Sequence, residues 1–487
     1  MSQDEKEMYS EVIREGITPF DRYVSRGNTR EEIDIPNPRK RIDSVIFRAI
    51  QHTARDQAPR LFPILGSSGV GKTHTYWAYK TMEEQEVQGK DWTIVYIPSP
   101  PAGSRILLHI YTCIIDTIGE ESLRQVAKKL VKRWGGESTK KLGLFGGTDI
   151  ESVIQNGIRE YPGIFADIVK CLVIYELDPS RDNLAQSWLL GENLEEEKMD
   201  ILGVNGIIED TDQCLVIIKL LCEHLDKVIV LYFDEVENPY RMLGEQAERI
   251  FLENIKRLYN EVRNLVIIIS ILKEIWPRLI HIADQPLLSR MEPERELKKF
   301  SMRDTETLYL TAMGKFWDEN NLNPPENPFF PLNKSILTDI YNKSDGNPRT
   351  LIKLIRLLMD DILYNEDLQS KDTDQSVQTH ITSISNKIAE SKEEVDYSVE
   401  VNPFSVAAGI LKSIKYFGEN TAKKVDVKPQ FQFEYEDKPT HKAVQSLTGL
   451  ITVGNLKIGL DVPSVKSFDH NGGVAVYYSL KRLTSAL

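Results

Sequence analysis

Eight consecutive residues, Gly66, Ser67, Ser68, Gly69, Val70, Gly71, Lys72 and Thr73, have the types and spacing to hold a chain of phosphates. They fit GxxxxGK[ST] and lie between a short apolar run (61–65) and a helical stretch reaching about residue 85, the context the motif requires. The glycines let backbone N–H groups curl round phosphate oxygens without a Cβ in the way. The helix that follows adds the positive end of its dipole. Lys72 can reach the β and γ phosphates, and the Thr73 hydroxyl can serve Mg2+. The implied cofactors are ATP and Mg2+.

A second group lies downstream. The apolar run 228–233 ends in Asp234 and Glu235. Asp234 suits the shell of Mg2+. Glu235 suits a general base that polarises an attacking water from hydrogen-bond distance. Ser270 ends the next apolar run, 265–270. A polar tip there either orients the water or touches the γ phosphate, or it simply terminates a strand.

The surrounding texture says what must position these residues. Residues 1–60 read as helical, interrupted at Pro36, Asn37 and Pro38. From residue 61, apolar runs at 61–65, 92–97, 228–233 and 265–270 alternate with helical stretches, including 105–118 and 244–262. Continuous apolar strands separated by helices imply a parallel sheet covered on both faces. Residues 120–212 hold helical patches, a Gly- and Lys-rich loop at 135–147 and no clear strand. Helical spacing returns at 304–319, 334–344 and 348–364. The last part mixes a helix (405–417) with β-like runs at 430–435, 450–453, 456–460 and 474–480. The expected fold class is α/β, built as follows. An N-terminal helical segment (1–60) leads into a parallel-sheet P-loop core (61–300) with a helical insertion at about 120–212. A helical lid (301–365), a linker (366–400) and a small α+β domain (401–487) complete the chain.

With these residues in place, the stretch 35–365 resembles an AAA+ ATPase. The resemblance puts Ser270 at the sensor-1 position. Pro286, Leu287, Leu288, Ser289, Arg290 and Met291 look like the segment before the final strand. Arg290 is then the arginine finger that reaches a neighbour's γ phosphate; its plain alternative is a surface salt bridge. Gly346, Asn347, Pro348 and Arg349 look like the sensor-2 motif at the start of the last lid helix, with Arg349 aimed at the phosphates. GNPR and the apolar helix after it are similar to the origin-recognition/initiator and STAND-like branch. Trp188, Leu189, Leu190, Gly191 and Glu192, followed by Leu202 and Gly203, resemble ATPases of phage-exclusion (BREX-type) systems. Trp188 equally suits a core aromatic under a loop.

Asp461 and Lys481 have the rhythm of a restriction-endonuclease-like core, but Ser479 stands where such a core carries its second acid. A single carboxylate holds Mg2+ poorly, so this likeness implies a degenerate, DNA-holding version. Glu434 or Glu436 could supply a migrated acid. The alternative is another α+β interaction domain.

Composition sets the outer limits. The 487 residues carry 60 Lys and Arg against 73 Asp and Glu, a net charge of −13, which excludes a protein that coats nucleic acid with its whole surface. Residues 401–487 nevertheless hold 11 Lys and Arg against 7 Asp and Glu, which allows phosphate contact without demanding it, so any DNA contact is to be sought there or within an oligomer's channel, and a solvated surface is the plain alternative. Cys113, Cys171, Cys214 and Cys222 show neither CxxC nor zinc spacing and read as buried free thiols. A polar, acidic N-terminus and short apolar runs argue for a soluble, cytoplasmic protein with no membrane partner. The expected function is ATP binding and hydrolysis by a homo-oligomer, or by a member of a multi-protein complex. Turnover would be coupled to DNA or a DNA-bound partner, in phage defence on the BREX likeness. A STAND-like switch or scaffold with slow turnover is the alternative, and an ATP-dependent nuclease the remote one.

Overall fold

The computed structural model describes residues 2–21, 33–85, 91–98, 105–136, 149–160, 165–192, 194–208, 211–238, 244–364, 381–384, 403–420, 425–438, 441–463 and 470–487. The chain enters through helices α1 (Gln3–Glu15) and α2 (Lys40–Asp56). A five-stranded sheet follows: β1 (Arg60–Gly66), β2 (Trp92–Ile97), β3 (Val228–Phe233), β4 (Leu265–Leu272) and β5 (Arg295–Glu296). Its order is β2-β3-β4-β1-β5 and every pairing is parallel. This is the α/β architecture expected, with a helical insertion, a helical lid and a C-terminal α+β part. The first four strands lie at the apolar runs. The two-residue β5 is too short to leave a run.

The sheet buries both faces because alternate side chains point opposite ways. Leu61, Leu65, Ile229, Leu231, Ile267 and Ile269 face the insertion side. Phe62, Ile64, Val228, Val230, Val266 and Ile268 face α2 and α3 (Lys72–Gln85). Pro63 sits inside β1, where a missing N–H normally costs a ladder bond. Its neighbours Leu61 and Leu65 turn their carbonyls towards Glu292 and Leu297 rather than towards β4. Pro63 therefore faces the β5 side, between the Met291 bridge to Leu61 and the pairing of β5 with Ile64 and Leu65.

The expected helix at 105–118 and the start of the insertion run together as α4 (Ile106–Arg133), broken at Gly119 (φ 73, ψ 172). The insertion continues through α5 (Ile150–Glu160), α6 (Ala166–Leu177), α7 (Asp182–Leu189), α8 (Glu196–Leu202) and α9 (Thr211–His224). Most of the Gly- and Lys-rich loop lies outside the described residues. Trp188 is 1% exposed and donates from its indole to the Gly206 carbonyl at 2.8 Å, the environment of a core aromatic. Of the four free thiols, Cys171, Cys214 and Cys222 are buried and Cys113 is half-buried.

After α10 (Glu245–Glu261), α11 (Trp276–Ile282), α12 (Gln285–Leu288) and β5 come the lid helices. These are α13 (Met302–Glu319), α14 (Lys334–Ser344) and α15 (Pro348–Tyr364). They share a separate apolar cluster with Ile13, Phe20 and Ile35. Arg14 donates to the Leu363 carbonyl, and Phe20 stacks on Tyr309 at 5.4 Å. The N-terminal segment thus serves two cores: α1 packs with the lid and α2 with the sheet. The expected linker 366–400 lies outside the described residues apart from 381–384.

The C-terminal part combines α16 (Pro403–Glu419), an antiparallel sheet of β6 (Val425–Lys438), β7 (His441–Val453) and β8 (Leu456–Leu460), and α17 (His470–Ala486). The strand expected at 474–480 is instead the middle of α17. Val474, Ala475, Tyr478, Ser479 and Arg482 are buried, a spacing that follows a helical face. Valines and tyrosines raise β propensity, but tertiary packing overrides it. The restriction-endonuclease rhythm is lost with that strand. Asp461 accepts from Ser479 Oγ at 2.7 Å and from Arg482 Nη2 at 2.8 Å, and Arg105 lies 3.5 Å away. Lys481 pairs with Glu196 at 3.2 Å. The two residues belong to separate ion pairs. Glu434 is exposed, and the side chain of Glu436 lies outside the described residues.

Candidate nucleotide-binding site

The P-loop spans the turn from β1 into α3, and its shape explains its glycines. Gly69 and Gly71 have φ of +76° and +102°, a left-handed backbone that other residues adopt at a cost. A Cβ on Gly69 would also lie 2.8 Å from Arg349 Cβ and from Asn347 Oδ1. Lys72 curls back over the loop, its Nζ 3.2 Å from the carbonyls of Gly66 and Ser67. Val70 turns inward and joins the core on the α2 side.

Four donors converge on Asp234 at the tip of β3. Thr73 Oγ1 donates to Oδ2 at 2.5 Å and Tyr96 OH to the same oxygen at 3.1 Å. Ser270 Oγ and the Glu235 amide donate to Oδ1, each at 3.1 Å. Ser270 is fully buried on β4, so its hydroxyl belongs to this cluster. Tyr232 OH donates to the Lys72 carbonyl at 2.6 Å, tying β3 to the first turn of α3.

Electrostatics favour an anion. Burial pushes the Lys72 pKa down, while Glu237 and then Asp234 pull it back up. Arg349 adds a second positive charge close enough to depress Lys72 further. Two neighbouring cations on a glycine loop are what a polyphosphate relieves. Burial, with Asp234 beside it, holds the Tyr96 phenol well above its ordinary value, so it stays a donor.

The lid supplies the third wall. Arg349 Nη1 lies 3.4 Å from Ser68 Oγ, and the Arg349 amide donates to the Gly69 carbonyl at 3.2 Å. Gly346 has φ +66°, and a Cβ there would also meet the Phe300 carbonyl at 2.3 Å, so the position requires glycine on both counts. Phe300, just beyond β5, donates its amide to the Gly346 carbonyl at 2.9 Å and hinges lid to core.

Two expected residues have side chains held by other partners. Glu235 has φ +52° and is exposed, and it accepts from Asn238 Nδ2 at 2.8 Å. Arg290 donates to the Pro286 carbonyl. Its neighbour Met291 bridges to Leu61, the far end of β1 from Gly66. Five residues of strand, about 16 Å, separate Leu61 from Gly66, so the Arg290 backbone lies by the opposite end of β1 from the P-loop.

Sequence reasoning missed three contributors. Tyr96 is in register with Tyr232 across β2 and β3, and the paired tyrosines at the two strand tips are the signal that could have found it. Glu237, 5% exposed, lies near Lys72, and the signal was a third acid in Asp234-Glu235-Val236-Glu237. The third is an ion-pair cluster at the start of α2. Arg39 donates to both Asp34 oxygens and lies 3.3 Å from Asp43, while His74 Nε2 lies 3.0 Å from Asp34. Burial opposes the charge on Asp34, but the bonds from Arg39 and His74 hold its carboxyl well below the usual range. His74 directly follows Thr73, so this cluster braces the P-loop helix.

The donor set fits Mg2+. Thr73 and Asp234 offer adjacent hard oxygens, and Mg2+ commonly takes one or two carboxylates, with phosphates and water completing its octahedron. Among the described residues, no group of three or more His, Cys, Asp or Glu is placed to hold a metal alone. No helix among them is long and apolar enough to cross a membrane.

No family model matches the chain, and no curated protein does. Solved structures do. The ADP form of the Aeropyrum pernix ORC2 protein is 10% identical over 84% of this chain and 79% of that chain, with a TM-score of 0.37. The Aeropyrum pernix ORC1 protein in complex with DNA is 11% identical over 92% and 93%, with a TM-score of 0.33. The ORC2 protein in its ADPNP–ADP complexes is 10% identical over 96% and 99%, with a TM-score of 0.34. Each is a chain to which this one is similar.

Proposed function

We propose that this protein is an AAA+ ATPase that binds ATP with Mg2+ and hydrolyses it in an oligomer. The observation that carries this reading is the convergence of Thr73, Tyr96 and Ser270 on Asp234 beside Lys72 and Arg349. Lys72 and Arg349 would neutralise the phosphates. Thr73 and Asp234 would hold Mg2+, which supplies charge neutralisation at the β and γ oxygens. Ser270 would orient Asp234. Glu235 would polarise the attacking water after leaving Asn238. Arg290, remote from its own P-loop, would complete the site of a neighbouring copy. Turnover would act on DNA or a DNA-bound partner, with the net-basic residues 401–487 as the contact. A part in phage defence rests on the local likeness around Trp188.

A second reading has its own observation. Glu235 is exposed and accepts a hydrogen bond from Asn238. A site whose base rests in that position suits a STAND-like switch, where ATP holds an assembly and turnover is slow. One experiment separates the two. Mass and phosphate release are measured with ATP, with and without duplex DNA, for wild type and Lys72→Ala. DNA-stimulated turnover supports the first reading, and assembly without turnover supports the second. Unchanged nucleotide binding in Lys72→Ala removes both.

A further inference from the structure

Asn347 performs two tasks with the two ends of one amide. Its Oδ1 accepts from the Thr350 amide at 3.2 Å, capping α15 at the third residue, with Pro348 in the first position. Its Nδ2 donates to the Ser68 carbonyl at 2.8 Å, across 279 residues of sequence. The first bond is local to the lid. The second crosses to the P-loop.

The crossing bond has company. The Arg349 amide donates to the Gly69 carbonyl, the next peptide along. Two successive P-loop carbonyls, those of Ser68 and Gly69, are therefore held by lid donors. The N–H on the far side of the Gly69 carbonyl, that of Val70, donates to the Ser67 carbonyl at 3.4 Å, so this turn of the loop is held from both sides. Gly69 lies so close beneath Asn347 and Arg349 that no side chain fits between them.

We propose that Asn347 is a positioning residue that latches the lid to the P-loop, so that a bound nucleotide leaves when this latch opens. The proposal rests on reading the loop as a nucleotide site and adds how release is gated there. Arg349 meets the phosphates; Asn347 sets the geometry in which it does so.

Asn347→Asp separates the two tasks. A carboxylate still caps α15, but it cannot donate to the Ser68 carbonyl and repels it. Asn347→Ser is the second variant: it keeps a capping hydroxyl on a side chain too short for the crossing bond. A fluorescent N-methylanthraniloyl-ATP is bound to the full chain and chased with excess ATP in a stopped-flow instrument. Melting midpoints are recorded alongside. Both variants should release the probe about threefold faster than wild type or more, with the melting midpoint within a few degrees of wild type, the loss expected for one exposed hydrogen bond. Gly69→Ala, which wedges the same contact open, should shift release the same way. Release at the wild-type rate from both Asn347 variants would overturn the latch while leaving the nucleotide reading intact. Failure of the wild type to bind the probe would overturn that reading itself.

Discussion

Thr73 and Asp234 are 161 residues apart in sequence, and Oγ1 of the first lies 2.5 Å from Oδ2 of the second. Thr73 lies in the first turn of α3, which follows β1, and Asp234 just follows β3; β4 runs between those two strands. The contact spans that strand, and Ser270 at its tip bonds the other Asp234 oxygen. The start of α3 and the ends of β2, β3 and β4 thus meet on one carboxylate, which is how a parallel sheet builds a site beyond its carboxyl edge.

The two acids after Asp234 should behave differently. Glu235→Gln should cut ATP turnover about 100-fold with little change in ATP affinity, as loss of a general base requires. Glu237→Gln removes the strongest negative neighbour of Lys72. The nucleotide-free protein should suffer more than the ATP-bound one, since phosphates restore the missing charge. ATP should therefore raise the melting midpoint of this variant by more than it raises that of wild type.

Ser270→Ala leaves one buried oxygen of Asp234 without its hydroxyl donor, a loss of about 1–3 kcal/mol. Turnover should fall about tenfold or more, while equilibrium binding of ATP stays within a few-fold. Equal loss of binding and turnover would show that Ser270 serves folding alone.

Arg290→Ala should leave ATP binding by isolated subunits unchanged. In assembled protein it should lower turnover by about 1,000-fold, the scale of an arginine finger supplied in trans. Mixing it with Glu235→Gln tests the geometry: each variant supplies what the other lacks, so mixed assemblies should regain activity.

Asp461 is fully buried between Arg482 and Arg105. Asp461→Asn strands two guanidinium groups at the junction of α17, β8 and α4. Denaturant unfolding should show a loss of about 3–5 kcal/mol, the cost of breaking a buried pair. Retention of wild-type stability would mean that the cluster is incidental.

Asp34 gives the acid limb of stability. Its folded-state pKa lies below the ordinary 3.8 because Arg39 and His74 bond the charged form, even though burial opposes it. A depressed carboxyl contributes stability in full above 3.8 and loses it as pH falls towards the folded-state value. The melting midpoint of wild type should therefore drop more steeply below pH 4 than that of Asp34→Asn. Parallel curves would exclude the cluster as a source of acid sensitivity.

The phosphate loop, the acidic pair, the four long strands and the three lid helices were legible in the sequence because each is a local pattern. Glycines at set spacing, an apolar run ended by acids, and a 3.6-residue rhythm all express forces acting over a few residues. The run 474–480 misled for the same reason. Its residue types favour a strand locally, but Val474 and Tyr478 are buried against the insertion, with the Tyr478 hydroxyl on the Leu194 carbonyl, and the packed form is a helix.

Tertiary structure alone decided which of these residues act together. Tyr96 reached Asp234 through strand register, and α1 joined the lid by packing. Asn347 met Ser68 across 279 residues, while Glu235 was held by Asn238 and Arg290 by the Pro286 carbonyl. Such contacts depend on where distant segments come to rest, and that is settled by burying the apolar faces of the whole chain at once. Residue identity therefore supplied the chemistry, and packing supplied the partners.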